Sequence, residues 1–323
     1  MATVITSLMS AIPWVGQDIV ESDNITENYS TLVYATTLML PTIGTVSPHA
    51  LKKGNKNIRL NKKEYLTIPP SFISFLVGLI DGDGYIQTTR AKKGFITIKL
   101  VIYIHMEDIS TLQYIQSVLK LGKIPINRDH KSPSPNCKLI INKTDLQEVI
   151  FPLLVYHGIY FLTDTRRTQF DLAMFILKEN KKLYEELPIR GKLEIPTYFK
   201  LPKTASGYVD LPYIKNWIVG FTMSEGSFFI NSNKDGCFLL KQRVHVMLFE
   251  AFKLVFNTSR RIDTEKGIYN QFSVCSRADI QTVINFFSFS GLHPLIGLKN
   301  IQYFKWLKNL RSSSRYSNLN FPK

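Results

Sequence analysis

The chain has 323 residues, of which 45% are hydrophobic and 12% aromatic. This composition excludes a disordered chain. The length is sufficient for two domains, or for one duplicated domain, with a sizeable core. The net charge of +15 indicates nucleic acid as a partner or, less specifically, an anionic membrane surface. Three widely separated cysteines without a CxxC pair exclude a disulfide-rich scaffold, argue against a zinc site and favour a reducing compartment.

Residues 1–70 differ in composition from the rest of the chain. Residues 22–50 are rich in threonine, serine and asparagine, and a basic run follows from Lys52 to Lys63. Such composition is typical of a solvated linker. The best membrane-span candidate, residues 34–46, is short, threonine-rich and interrupted by Pro41, so we expect no transmembrane helix.

From Pro69 onward the hydrophobic pattern becomes periodic and predicts seven elements in the order αββαββα. A helix is expected from Ser71 to Asp83, with Gly84 as a left-handed cap. The remaining predicted elements are strands at 85–90 and 95–104, a helix at 108–121 ending at Gly122, two short strands around a loop at 132–136, and a helix opening at Asn142 with Asp145 in its first turn.

The same elements recur in the second half of the chain. LVGLIDGDG at 76–84 matches IVGFTMSEG at 218–226, DLQEVI at 145–150 matches DIQTVI at 279–284, and Ser276 with Asp279 repeats the helix start. The Arg166 segment matches the Lys299 segment. These matches predict a duplicated domain, with a Pro-punctuated linker between the copies.

Each copy of the repeated motif places small residues four apart on a helix that ends in a carboxylate. Gly82 in the first copy corresponds to Ser224 in the second, and Asp83 to Glu225. Small residues at this spacing let two helix backbones approach closely, which would bring both acids to one place. A divalent cation with oxygen ligands, such as Mg²⁺, would relieve their repulsion. The alternative is a solvated turn, which would suffice for one copy but does not explain two in register.

These paired motifs resemble those of LAGLIDADG homing endonucleases and maturases of the single-chain, two-repeat kind, over about residues 71–316. The resemblance implies an α+β fold of two tandem repeats related by a pseudo-two-fold axis, with antiparallel sheets forming a DNA-binding saddle. It implies metal-dependent hydrolysis of both DNA strands, with Mg²⁺ or Mn²⁺ held by Asp83, Glu225 and the carbonyls of Gly82 and Ser224. The earlier acidic position, Asp81, is expected to be a capping or surface residue, and Met223 replaces it in the second copy.

The resemblance also implies three further residues in the site. Arg166 and Lys299 would each stabilise a scissile phosphate, although arginine cannot act as a base, so the two half-sites are expected to be unequal. Each could equally be a plain phosphate-facing charge. Gln242 matches the family's water-ordering glutamine, and Ile104 occupies its place in the first repeat.

In this architecture DNA would be read by the exposed faces of the sheets, although solvated strand faces would look the same from sequence. The expected contacts are Tyr85, Gln87, Thr89, Arg90, Thr97 and Lys99 in the first half, and Ser227, Phe229, Asn231, Lys234, Lys241 and Arg243 in the second. The basic tail at 308–315 is expected to add phosphate contacts.

A second resemblance concerns residues 2–20, which are similar to an internal segment of mitochondrial cytochrome b. It implies an open reading frame inside a fungal mitochondrial cytochrome b intron, continued from an upstream exon and translated in the mitochondrion. The early acids Asp18, Glu21 and Asp23 agree with this, because transit peptides are poor in acids. The predicted organisation is an exon-like segment (1–21), a linker (22–70) dispensable for chemistry, two repeats (71–190 and 212–323) and an inter-repeat linker (191–211).

Two functions remain open at this point. The first is an intron-homing endonuclease that acts as a monomer on double-stranded DNA. The second is an RNA maturase that binds its host group I intron and assists splicing, alone or in addition. Asp83 and Glu225 favour the endonuclease. Met223, and the presence of Gln242 in only one repeat, slightly favour the maturase.

Overall fold

The computed structural model describes residues 59–125, 135–187 and 195–323. The predicted cytochrome b-like segment, and the predicted linker up to residue 58, lie outside the described residues. No helix within the described ranges is long and apolar enough to span a bilayer.

The first half consists of a long central helix, an antiparallel sheet and helices that cover one face of the sheet. Its elements are α1 (Lys62–Leu66), α2 (Pro70–Asp83), β1 (Gly84–Arg90), β2 (Ile96–His105), α3 (Ile109–Leu119), β3 (Asn136–Asn142), α4 (Lys143–Asp145), a π-helical turn (Leu146–Ile150), α5 (Phe151–His157) and α6 (Asp164–Lys178).

The second half repeats this arrangement after a short connecting helix. Its elements are α7 (Ala205–Val209), α8 (Ile214–Glu225), β4 (Gly226–Ile230), β5 (Gly236–Arg243), α9 (Val246–Val255), β6 (Asp263–Glu265), β7 (Tyr269–Val274), α10 (Arg277–Ser288) and α11 (Gly297–Arg311). The α+β fold predicted from the sequence, two tandem repeats with antiparallel sheets, is confirmed.

Both sheets are antiparallel, and alternation along their strands separates a core face from an outer face. The second sheet has the order β4-β5-β7-β6, whereas the described part of the first has only β1-β2-β3. Residues 126–134, between the two short strands predicted there, lie outside the described residues; before them the described chain contributes a single bridge between Lys123 and Ile140. In β2, Ile98, Leu100 and Ile102 are buried against the helices while the alternate residues face outward, so each half has a core under one sheet face.

The central helices α2 and α8 are apolar nearly all round because they are buried on every side. Pro70 occupies the first turn of α2, where the absent N–H costs nothing. The predicted left-handed cap at Gly84 is wrong, because its φ of −105° and ψ of 169° are extended. A side chain at Gly84 would collide with Ile80, at 2.7 Å from its Cγ2, so close approach explains this glycine. Helix α3 ends at Leu119, before the predicted end at residue 121, and Lys120 is left-handed.

The predicted helix starts are confirmed in both halves. Asn142 accepts a hydrogen bond from the Asp145 amide at 3.0 Å, and Ser276 accepts one from the Asp279 amide at 3.2 Å. Such caps satisfy amides that would otherwise lack an intrahelical partner.

The last residues of the predicted 22–70 linker are packed into the core rather than solvated. Tyr65 on α1 and Ile68 are buried in the core, and Arg59 forms an ion pair with Glu148 at 2.8 Å. The apolar positions of this short segment lie within a basic, asparagine-rich run, which hides their periodicity in the sequence.

Two of the three cysteines lie opposite each other on β5 and just after β7, joined as a disulfide between Cys237 and Cys275. The number and spacing of the cysteines favoured a reducing compartment and did not predict this disulfide. The two cysteines are 38 positions apart in sequence, and the antiparallel pairing of β5 with β7 brings them together. Cys137 is free and buried.

Candidate active site

The two central helices cross at their small residues and end together at the seam between the halves. A Cβ on Gly78 would overlap the Trp217 carbonyl oxygen, and one on Gly220 would overlap that of Phe75. A Cβ on Gly82 would instead overlap the side chain of Ser224. The close helix contact predicted from the small residues is therefore present, and it requires glycine at both crossing positions.

This crossing brings Asp83 and Glu225 into one site. A Cβ placed on Gly82 would lie 3.2 Å from the Cγ of Glu225. Burial raises the pKa of Asp83 to about 6, against the lowering effect of Lys299 and Arg166. Burial, with repulsion from Asp83, raises the pKa of Glu225 to about 7. Ionising either carboxylate is thus costly when no divalent metal ion is bound.

The two predicted cations lie at this seam, but they bind different backbone atoms. Arg166 donates to the carbonyl oxygens of Ile80 and Gly82, at 3.1 and 3.3 Å. Lys299 donates to the Gly226 carbonyl at 2.5 Å. Burial lowers the pKa of Lys299, while Asp83 first and then Asp108 and Glu225 oppose this change. The site is therefore asymmetric, as expected from the sequence.

Gln242 lies at the inner face of β5 and donates to Glu225 Oε1 at 2.7 Å. Its counterpart by strand register is Ile104, because Leu240 pairs with Gly226 as Ile102 pairs with Gly84. The first half therefore presents an apolar side chain where the second presents an amide.

The donor set suits a cation that completes its coordination with other oxygens. No group of three or more His, Cys, Asp or Glu side chains that could hold a metal occurs in the portions of the chain that the structure describes. Two carboxylates and nearby carbonyls nevertheless fit Mg²⁺, which usually keeps several waters and binds through one or two carboxylates plus substrate phosphates. The Gly82 carbonyl is already engaged by Arg166, whereas a carbonyl oxygen has a second lone pair.

Most of the residues predicted to contact DNA share the outer faces of the two sheets. Strand register places Tyr85, Gln87 and Thr89 opposite Val101, Lys99 and Thr97. On the second sheet Ser227 and Phe229 share a face with Lys241 and Arg243. Thr89 and Thr97 are hydrogen-bonded to each other at 2.7 Å, and Lys241 is paired with Glu265.

Three predicted contacts lie apart from these faces. Arg90 is on the core-facing side of β1 by alternation, at its end, and pairs with Glu185 at 2.7 Å. Asn231 and Lys234 belong to the turn between β4 and β5. There the Asn231 side chain accepts from the Asp235 amide at 2.8 Å. The period-two pattern cannot show that a strand ends before these positions.

The expectation that Asp81 is a capping or surface residue is wrong. It is buried and accepts hydrogen bonds from the amides of Leu162 and Thr163, at 2.8 and 3.2 Å. It also accepts from the Thr163 hydroxyl and from the Trp217 indole, at 2.5 and 2.8 Å. Asp81 thereby ties α2 to the segment before α6 and to α8 of the other half. Met223 fills the equivalent position with an apolar side chain.

Two residues near the site were missed by sequence reasoning. Asp108 accepts from the Leu298 amide at 2.8 Å, and His245 accepts from the Asp164 amide at 3.0 Å. Asp108 shares with Asp83 and Lys299 a cavity of about 460 Å³. Asp108 was visible in the sequence only as a helix start, because its partner is 190 residues away.

Comparison with known proteins finds similarity in sequence and in fold. The family model described as LAGLIDADG endonuclease matches residues 76–160. A probable intron-encoded endonuclease aI3 of Dictyostelium citrinum is 26% identical over 245 residues, covering 74% of this chain and 95% of that protein. A protein of the same description from Debaryomyces hansenii is 22% identical over 277 residues; the match covers 77% of this chain but only 39% of that longer protein.

Solved structures show the same fold. The meganuclease I-SmaMI, bound to uncleavable DNA, aligns with a TM-score of 0.57 at 19% identity and covers 77% of this chain and 93% of its own. The LAGLIDADG meganuclease I-AabMI, bound to uncleaved DNA, aligns with a TM-score of 0.52 at 20% identity, over 75% of this chain and 90% of its own. I-SmaMI was also solved bound to uncleaved target in the presence of calcium ions.

Proposed function

We propose that the chain is an intron-encoded, site-specific DNA endonuclease that makes divalent-metal-dependent double-strand breaks. The observation that carries this proposal is the convergence of Asp83 and Glu225, one from each half, at the seam between the two halves. The endonuclease descriptions of its relatives and the DNA-bound meganucleases of the same fold support it.

Mg²⁺ or Mn²⁺ held by the two carboxylates and the carbonyls of Gly82 and Ser224 would supply water activation and stabilise the leaving oxygen. The residues themselves provide the rest of the chemistry. Lys299 and Arg166 stabilise negative charge developing on the two scissile phosphates. Gln242, held against Glu225, orients water on its side of the site.

The outer faces of both sheets form the proposed DNA surface. Lys99, Lys241 and Arg243 supply positive charge there, and the neighbouring tyrosine, glutamine and threonine side chains supply hydrogen-bond donors and acceptors. A single chain carries both halves and both acids, so the proposed active species is a monomer. Residues 71–190 and 212–323 are the proposed repeats, with α1 packed onto the first.

We place the protein in the mitochondrion, encoded within a cytochrome b intron. The intron-encoded relatives support an origin in an intron. The cytochrome b resemblance of residues 2–20 supplies the specific gene and lies outside the described residues.

The maturase alternative shares this scaffold but does not require the acids. Burying two carboxylates at one seam destabilises the fold unless a cation is bound there, so their presence favours the nuclease. RNA binding without cleavage is therefore an outcome of the test rather than the proposal.

The test uses the full-length protein with Mg²⁺ and DNA that spans the intronless exon junction. We expect double-strand cleavage that chelation of the metal abolishes and that Asp83→Asn and Glu225→Gln each remove. The exposed substitution Asp210→Asn serves as a control that should cut normally. Tight binding of intron RNA, with no cleavage of junction DNA under any metal, would replace the nuclease by the maturase.

A further inference from the structure

Asp108 reaches from the first half to the helix that carries the second-half cation. It lies at the end of a short 3-10 turn (Met106–Asp108) that leads into α3. Its Oδ1 accepts from the Leu298 amide at 2.8 Å and from the Thr111 hydroxyl at 3.0 Å. Leu298 is in the first turn of α11 and directly precedes Lys299. A carboxylate at this place satisfies an amide that has no intrahelical partner.

The close approach is built into the sequence of α11. Gly297 has a φ of +53°, in the left-handed region that favours glycine. A Cβ there would overlap both the Asp108 carboxylate and the Thr111 hydroxyl. The first turn of α11 therefore seats directly on the first half, and only glycine leaves room for it.

The arrangement occurs a second time in the opposite direction. His245, in the second half, accepts from the amide of Asp164 through Nε2 at 3.0 Å. Asp164 is the first residue of α6 and lies two residues before Arg166. The Asp164 carboxylate also lies 3.6 Å from the same imidazole nitrogen. Both cation-bearing helices are thus held at their first turn by a side chain of the other half.

We propose that Asp108 and His245 are positioning residues, each of which fixes from the opposite half the helix that carries one phosphate-stabilising cation. Asp108 fixes the helix that carries Lys299, and His245 fixes the helix that carries Arg166. This inference rests on the proposed nuclease function, because it assigns each contact to the cleavage of one DNA strand. A plain helix cap would contribute stability without any such preference.

The experiment measures single-turnover cleavage of each strand separately, with full-length protein and labelled junction DNA. Lys299→Met and Arg166→Met first define which strand depends on which cation. Asp108→Ala should slow the Lys299-dependent strand by about ten- to a hundredfold, as a small displacement of a reacting group does. The other strand should change less than about twofold, so nicked DNA accumulates, while DNA affinity is unchanged.

Three further single variants and one double variant make the assignment specific. Asp108→Asn retains the accepting oxygen and should restore most of the lost rate. His245→Ala should slow the opposite strand. Ser276→Ala removes a comparable cap from α10, outside the site, and should leave both rates unchanged. In the double variant of Asp108→Ala with Lys299→Met, the affected strand should be no slower than with Lys299→Met alone.

Equal slowing of both strands by Asp108→Ala, or additive effects in the double variant, would overturn the proposal. A wild-type protein that cuts no DNA would instead refute the proposed function, and amide hydrogen exchange then decides the inference. Asp108→Ala should speed exchange at the first turn of α11 and His245→Ala at the first turn of α6, with Asp108→Asn close to wild type. Unchanged exchange at both turns would overturn the inference regardless of cleavage.

Discussion

At the scale of single residues, the burial of the Asp83 and Glu225 carboxylates destabilises the protein when no divalent cation is bound. The pKa values of Asp83 and Glu225, about 6 and about 7, lie above those of the same groups in an unfolded chain. The folded protein therefore binds these protons more tightly, and the free energy of unfolding falls as pH rises from the unfolded pKa through the folded pKa. A divalent cation bound at the proposed site would offset this loss, because only the folded form brings the two carboxylates together.

Replacing either acid by its amide should therefore stabilise the protein while it abolishes cleavage. For Asp83→Asn we expect the free energy of unfolding at about pH 8, without divalent metal, to rise by roughly 1–3 kcal/mol. The gain should shrink as pH falls and disappear below the ordinary pKa of 3.8, where wild-type Asp83 is protonated in both states. Urea unfolding across this pH range measures it, with Asp210→Asn as the exposed control. A loss of stability at the alkaline end would show that ionised Asp83 does not destabilise the fold.

Asp81 is predicted to contribute to folding rather than to catalysis. Asp81→Ala would leave the Leu162 and Thr163 amides and the Trp217 indole without their acceptor. Buried unsatisfied donors are expensive, so we expect a loss of about 2–5 kcal/mol.

The equivalent position in the second half provides the matched control. Met223→Leu should cost less than about 1.5 kcal/mol, because it exchanges apolar side chains of similar volume. Denaturant midpoints of the two variants make the comparison. Equal midpoints would show that the hydrogen bonds of Asp81 contribute little to stability.

At the scale of elements, the crossing of α2 and α8 decides whether the acids meet. Gly78→Ala would place a methyl group into the backbone of α8 at Trp217, which cannot yield as a flexible side chain could. We expect a loss of about 1–3 kcal/mol or more from overpacking, together with a fall in cleavage rate. Ser71→Ala, in the first turn of the same helix, controls for helix propensity. Wild-type stability and activity in Gly78→Ala would show that the helices need not touch.

The sequence predicted these helices well because the signal is local and repeated. Periodicity, small-residue spacing and a carboxylate at each helix end all lie within one short motif, and the second copy confirms the first. The prediction of a left-handed conformation at Gly84 was wrong, because glycine is needed there for a close contact with Ile80 rather than for a turn. Contacts such as Trp217 to Asp81 span 136 residues, and no local pattern contains them.

At the scale of the whole molecule, the excess of positive charge should govern DNA affinity. If the outer faces of both sheets lie on DNA, they neutralise several phosphates and release counterions. For roughly six to ten phosphate contacts, affinity should fall about a thousandfold or more between about 50 and 200 mM salt. Lys99→Gln, on the outer face of β2, should reduce the slope of log affinity against log salt by about one. A shallow slope of log affinity against log salt in the wild-type protein would show that DNA does not lie on the outer faces of the sheets.

The two halves also depend on each other for the site, and sequence could not show how. Each half supplies one acid and one cation, while Asp108 and His245 reach across to the opposite half. The acids were found because they sit in the repeated motif. The cross-half contacts were not, because they join unlike residues with no shared pattern.

The proposed function requires that Asp83 and Glu225 hold a divalent cation jointly. Electron paramagnetic resonance of Mn²⁺ can measure this directly, by titrating the ion into full-length protein on an uncleavable junction DNA. We expect Asp83→Asn and Glu225→Gln each to weaken Mn²⁺ binding by about tenfold or more, since each removes a direct ligand. Wild-type Mn²⁺ affinity in either variant would contradict a shared site.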